Sequence, residues 1–267
     1  MSADIPVELK DFHKIFQKLT YRHDNYKVFD HFLDYIIWMH DVRQLDIPDG
    51  REKWDEKIYP YSKDERQIFY ELYCEWLQVM NNRLVSDKDW YDLFGTYYMA
   101  EIVSKSKSQG TGQFFTPANV CTAMAQMTLG PNVTKYKSKS FNDPTCGSGR
   151  CLLALNAEAP GNYHFGEDLD LTCCKMTVAN FLIHGVSGSV IWKNSLSQEF
   201  FGAWKVNEYL NYGMPLPHVQ QVKSEQAAYY LMGISKKITK PIEVTESVKE
   251  KAVEKVVTLD SFMEAAK

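Results

Sequence analysis

The chain has 267 residues, enough for one large domain or two small ones, and its 45% apolar, 24% charged composition excludes wholesale disorder and fibrous repeats. The net charge of −4 is uneven: residues 1–110 carry 15 Lys/Arg against 20 Asp/Glu, residues 111–220 carry 7 of each, and residues 221–267 carry 8 against 7, so no segment shows the basic footprint of an autonomous nucleic-acid binder. No apolar run reaches the ~18 residues of a membrane span, the first residues carry no apolar signal segment, and the 6 cysteines form no Cys-x-x-Cys pair, so a cytoplasmic chain with reduced thiols is expected.

Residues 8–103 read as helices. Phe29, Phe32, Leu33, Ile36, Ile37 and His40 follow the i, i+3, i+4, i+7 spacing, as do Ile68, Phe69, Leu72, Tyr73, Trp76, Leu77 and Met80, and Trp90, Leu93, Phe94, Tyr97 and Tyr98 form a third stripe. All three are read as core faces, with a turn between the first two at Ile47-Pro-Asp-Gly50. Residues 104–112 form a polar, glycine-bearing loop. Thr116-Pro117 then reads as an N-cap with proline at the first helical position, opening a helix to about Leu129. Beyond it short strands alternate with helices: strand 140–143, a helix from Gly149 to about Ala157, strand 163–167, helix 171–184 and strand 189–192. A β-α-β-α-β series predicts a parallel sheet covered by helices, an α/β fold. After Trp192 the alternation stops. Residues 200–220, with Gly202, Gly213, Pro215 and Pro217, read as irregular, 222–233 as one helix, and the lysine- and glutamate-rich segment 236–257 as exposed helix or a mobile tail.

The richest segment chemically is Phe141-Asn-Asp-Pro-Thr-Cys-Gly-Ser-Gly149, which follows a strand and opens a helix. Its glycines let a ligand approach the peptide groups, and the helix behind presents free N–H groups to an anionic group such as an amino-acid carboxylate. Asp143, at the strand end, can accept from an ammonium or hydroxyl. In Phe165-Gly-Glu-Asp-Leu-Asp170 an acid at the next strand end can accept both hydroxyls of a ribose; Asp168 is the better candidate than Glu167, and Asp170 suits a helix cap. Gly112-Gln-Phe-Phe-Thr-Pro117 reads equally as the lining of a small pocket or as a hydrophobic staple. Asn194 can face a purine edge, although a loop asparagine is more often a turn former. Cys146, Cys151, Cys173, Cys174, His164 and His184 fit no zinc spacing, so no metal is expected.

In order along the chain, Gly112-Gln-Phe-Phe-Thr-Pro117, Asp143-Pro-Thr-Cys-Gly-Ser-Gly149, Gly166-Glu-Asp-Leu-Asp170 and Ala179-Asn-Phe-Leu-Ile-His-Gly185 resemble the N6-adenine DNA methyltransferases. Among them the similarity is to the methylation subunits of type I restriction–modification systems, over about residues 93–196. The resemblance implies a Rossmann-like class I methyltransferase sheet, here shortened, with an N-terminal helical domain over 1–110, an S-adenosylmethionine-binding domain over 111–220 and a tail over 221–267. It implies that Phe115 and Thr116 flank the methionine end of S-adenosylmethionine, and that Asp143, Gly147, Ser148 and Gly149 cradle its amino and carboxylate groups. Asp168 would hold the ribose, Leu169 would pack on the adenine, and Asn194 would meet the adenine amino group through its amide oxygen. The implied partners are DNA and a specificity or other restriction–modification subunit, with no membrane.

One family string is missing. The Asn/Asp-Pro-Pro-Tyr/Phe sequence, which holds the target amino group and stacks the flipped base, does not occur. The nearest, Asn211-Tyr-Gly-Met-Pro-Leu-Pro217, matches only its Asn, so no catalytic residue is assigned. Three readings follow: an adenine-specific DNA methyltransferase, a catalytically deficient S-adenosylmethionine-binding module that acts with a partner chain, or a structural fragment whose pocket is empty.

Overall fold

The computed structural model describes residues 5–43, 61–86, 88–103, 114–131, 136, 138–210 and 216–230. The turn at 47–50, the loop 104–112, Gly112 and Gln113, residues 211–215 and the segment 236–257 lie outside them. Among the described residues no helix is long and apolar enough to cross a membrane.

The N-terminal helices form where caps and apolar stripes coincide. Helix α1 (Lys10–Thr20) buries Phe12, Phe16 and Leu19 on one face. Helix α2 (Asn25–Met39) opens at Asp24, whose carboxylate accepts from the Lys27 amide, and buries Val28, Phe29, Phe32, Leu33, Tyr35 and Ile36. Helix α3 (Lys63–Arg83) opens with a full capping box between Ser62 and Glu65 and buries Phe69, Leu72, Tyr73, Trp76, Val79 and Met80. The third stripe divides: Trp90 precedes the short helix α4 (Leu93–Tyr97), and the chain runs on as a π-helical turn (Tyr98–Val103). Tyr97 sits at the centre of this bundle, meeting the rings of Phe12 and Phe16 edge-on at 5.0 and 5.2 Å.

Helix α5 (Ala118–Leu129) starts one residue later than expected, with Pro117 at the N-cap and no side-chain cap bond. Thr116 does not cap it; its carbonyl accepts from the Arg150 guanidinium instead. Then come β1 (Ser140–Asp143), α6 (Arg150–Glu158), β2 (Tyr163–Asp168), α7 (Leu171–Ile183) and β3 (Gly188–Asn194), with the three strands parallel as the alternation predicts.

The region after Trp192 departs from the expectation of irregular chain. Strand β4 (Glu199–Val206) folds back antiparallel on β3, and β5 (Val219–Val222) pairs antiparallel with β4, giving one mixed five-stranded sheet in the order β1-β2-β3-β4-β5. The single helix expected over 222–233 is only α8 (Glu225–Tyr229), capped by Ser224, because Val222 belongs to β5. Three features disguise the hairpin. The register shifts between Trp192 and Lys193, Gly202 interrupts the apolar run, and the buried residues Lys193 and Lys205 place charge on an inward face. Lys193 reaches Gln198 and Glu225, and Lys205 reaches Glu208 and the Tyr230 carbonyl, so α8 is strapped over that face by paired lysines.

Helices α6 and α7 cover the other face, where Leu152, Leu153, Phe181 and Leu182 join Val190, Trp204 and Val206 in a cluster continuous with the N-terminal aromatic core. Helix α2 lies on α7, where the buried Lys175 ammonium bridges Asp30 and Asp34. The far margin of the sheet is tied to the same bundle, since the Val219 amide donates to the His40 carbonyl at 2.8 Å. The helical part is thus fixed against the sheet at both α7 and β5.

Candidate functional site

Strands β1 and β2 end side by side, with Asp143 opposite Gly166. Between β1 and α6 the chain makes a tight loop: the Asp143 carboxylate accepts from the Thr145 amide at 3.1 Å, the Cys146 amide donates to the Glu167 carbonyl at 2.9 Å, and the Gly149 amide donates to the Cys146 carbonyl at 2.8 Å. Gly147 and Gly149 hold φ of +56° and +86°, in the left-handed region that only glycine visits at little cost. Space is tight as well: a Cβ on Gly147 would lie 3.0 Å from the Phe115 ring, and one on Gly149 3.0 Å from the Thr177 methyl. Phe115 therefore lies directly on the loop, and the Arg150 guanidinium sits 5.7 Å from its ring centroid. Phe114, by contrast, is 82% exposed.

The acids at the strand ends separate into structural and available groups. Glu167 is buried and accepts from the Tyr229 hydroxyl at 2.6 Å and the Ser195 hydroxyl at 3.1 Å, so it anchors α8 and the β3–β4 turn. Asp168 accepts from the Gly147 amide at 2.8 Å through one oxygen and from the Asp170 amide at 2.9 Å through the other. Each oxygen keeps a further lone pair for a ligand hydroxyl. Burial pushes the Asp168 carboxyl above its ordinary value of 3.8, against the pull of those two amides. Asp143 is likewise raised, by burial and by the charges of Asp168 and Glu167. Asp170 caps α7, accepting from the amides of Thr172 and Cys173.

The remaining expected residues fall in distinct places. Leu169 is 59% exposed beside Asp168, and its carbonyl is held by the Trp192 indole N–H at 2.9 Å. Thr116 is half-buried next to Phe115. Ser148 is buried with its hydroxyl turned under the loop, so its side chain does not line the cradle. The Asn194 amide oxygen accepts from the amides of Leu196 and Ser197 and closes the β3–β4 turn, so this oxygen is engaged by the turn rather than presented to an adenine amino group.

Under the loop lies a residue the sequence reading passed over. Asp92 caps α4 and is 3% exposed. One of its oxygens accepts from the Gly95 amide and the Asn180 side chain, at 2.7 and 2.8 Å, and the other from the Ser148 hydroxyl and Arg150 Nε. Gly95 is obligatory here, because a Cβ would fall 2.0 Å from the Asp92 carboxylate. The neighbouring Tyr91 amide donates to His184 Nε2, while His184 Nδ1 donates to the Asn180 carbonyl. That arrangement requires a neutral ring, and burial lowers its pKa to about 4. The only local signal for this site is an Asp three residues before a Gly, at the edge of an aromatic stripe.

Among the described residues, no group of three or more His, Cys, Asp or Glu side chains could hold a metal ion. The fit to S-adenosylmethionine is better. Gly147 and Gly149 hold left-handed backbone in the loop, the partly buried carboxyls Asp143 and Asp168 end neighbouring strands, and an exposed leucine stands beside Asp168, residue types compatible with a cationic nucleoside ligand.

Residues 89–217 match the family model of the N-6 DNA methylases, a span that contains Asp92, the glycine loop and both strand-end acids. Searches of curated proteins and of solved structures return no match. Over residues 89–217 the chain is similar to the N-6 DNA methylase family.

Proposed function

We propose that this chain binds S-adenosylmethionine at the C-terminal ends of β1 and β2 and serves an N6-adenine DNA methylation reaction. The observation that carries the reading is the joining of the two strand ends: the Gly147 amide donates to Asp168, which locks the glycine loop to the candidate ribose acid. S-adenosylmethionine supplies an electrophilic methyl group on a cationic sulfur. Asp143 and Asp168 would offset its positive charges, the Gly147–Gly149 backbone would receive the amino-acid end, and Leu169 and Phe115 would exclude water from its apolar parts. The sheet supports a Rossmann-like methyltransferase reading through its parallel half, β1 to β3.

A division of labour with a partner chain is favoured by the absence of the Asn/Asp-Pro-Pro-aromatic string from the whole sequence. Among the described residues the sheet also grows only on the β3 side, through β4 and β5, leaving β1 at the margin. Positioned groups that hold a target amino group and stack its base lower the barrier by several kcal/mol, so a chain without them loses orders of magnitude in rate. A further subunit of a restriction–modification system is the partner this reading calls for, and the lack of a basic footprint suits DNA contacts made largely by that partner. Calorimetry with S-adenosylmethionine and incubation with labelled cofactor and adenine-unmethylated DNA test both parts. The expected result is saturable binding without multiple-turnover labelling. Absence of binding would remove the cofactor reading, and turnover that Asn211→Ala abolishes would make the chain a complete enzyme.

A further inference from the structure

Three segments converge under the glycine loop, and a single carboxylate joins them. Helix α4 contributes the Gly95 amide, α7 contributes the Asn180 side chain, and the loop with the first residue of α6 contributes Ser148 and Arg150, all donating to Asp92. Asn180 Nδ2 also reaches the Ser148 carbonyl at 2.8 Å. The Arg150 guanidinium, held by Asp92, spends its other nitrogens on the Thr116 carbonyl at 3.2 Å and the Thr96 hydroxyl at 3.0 Å. One buried ion pair therefore sets the loop, the segment carrying Phe115, and the end of the helical bundle relative to one another.

We infer that Asp92 is a positioning residue for the amino-acid end of the cofactor: through Ser148 and Arg150 it fixes the Gly147–Gly149 backbone against Phe115, while touching no ligand itself. The inference rests on the cofactor reading above and deepens it. Four donors fill the four acceptor directions of the carboxylate, so the group has no capacity left for a ligand and none for water. Charge-assisted bonds of this kind are short and directional, and they transmit the position of α4 to the loop. The adenosine end of the site is built on Asp168 and Leu169 at the tip of β2, where Asp168 takes one bond from the loop, the Gly147 amide, and another from its own segment, the Asp170 amide.

The second of these bonds does not pass through the loop, which makes the role measurable. Asp92→Asn keeps an oxygen for the Gly95 and Asn180 donors but turns an amide N–H2 toward Arg150 and Ser148, breaking the clamp while leaving the α4 cap. Ser148→Ala removes one strand of the clamp and nothing from the cradle lining, and it stands in if the first variant fails to fold. Titration calorimetry with S-adenosylhomocysteine and with adenosine is run on the full chain well below its melting temperature. In Asp92→Asn the affinity for S-adenosylhomocysteine is expected to fall roughly tenfold or more, with a clearly smaller loss, about threefold or less, for adenosine. Ser148→Ala is expected to show the same selectivity at smaller size. Equal weakening for both ligands makes Asp92 merely structural and overturns the inference, as does unchanged S-adenosylhomocysteine affinity in the variants. Wild-type protein that binds neither ligand removes the cofactor reading and the clamp together, whereas wild-type binding with unaltered variants removes the clamp alone.

Discussion

The glycine loop has a floor and a mouth, and their carboxylates are built in opposite ways. In the floor, Asp92 is almost wholly buried and every acceptor direction is filled by protein donors. At the mouth, Asp143 has one backbone donor and Asp168 two, and burial raises both carboxyls above their ordinary value. A saturated buried carboxylate stiffens what it touches, while an under-satisfied one at an open end favours an arriving cation or hydroxyl. The contrast separates a residue that holds the loop's shape from residues with acceptor capacity left for a ligand, although the same glycine loop touches both.

The largest expected effect falls on the floor. Arg150→Ala leaves Asp92 buried without its cation, and breaking a buried pair in this way costs about 3–5 kcal/mol. Denaturant titration would register that loss, and a change below about 1 kcal/mol would show that the floor carries little stability. At the mouth, Asp168→Ala should leave stability less affected while reducing binding of both S-adenosylhomocysteine and adenosine by roughly 1.5–3 kcal/mol, as expected for hydrogen bonds to a charged group. A loss confined to S-adenosylhomocysteine would move the ribose away from β2 and blur the distinction between the two ends.

The smallest effect is in pH. Because burial raises the carboxyls of Asp143 and Asp168, protons compete with a cationic ligand at higher pH than the ordinary 3.8 would allow. Affinity for S-adenosylmethionine should therefore decline as pH falls toward those raised values, and Asp143→Asn should flatten the profile. The stability linked to the same two groups runs the other way. Their ionisation disfavours the folded state, so their unfavourable contribution is relieved on acidification. A pH profile of affinity that is level in the wild type would count against any role for these acids at the mouth.

The strands β1 to β3 and helices α6 and α7 were legible because short apolar runs are punctuated by Gly147, Gly149 and Gly185, which mark each change of direction. The strand-end placement of Asp143 and Asp168 was legible for the same reason, since both follow short apolar runs. Strand β4 was hidden because its inward face carries Lys205, buried only by virtue of Glu208 and the Tyr230 carbonyl, partners that local pattern does not announce. The one-residue shift at Thr116 has a similar cause: Arg150, from a different helix, takes the carbonyl and leaves the capping side chain unused. Asp92 was the least legible of all. Locally it is only a helix cap, and what distinguishes it comes from the Ser148, Arg150 and Asn180 side chains.

Those partners lie 56, 58 and 88 residues along the chain from Asp92. Contacts that close such long stretches are costly in chain entropy until the intervening elements have formed. The hairpin of β3 and β4, joined through a turn that Asn194 closes, has no such delay. During folding the antiparallel half of the sheet can thus organise from neighbours alone, whereas the loop reaches its final conformation only once α4 and α7 have come together. Loop order and docking of the helical bundle are in this sense one cooperative event, and a chain whose bundle is undocked would carry the glycine motif intact without its shape.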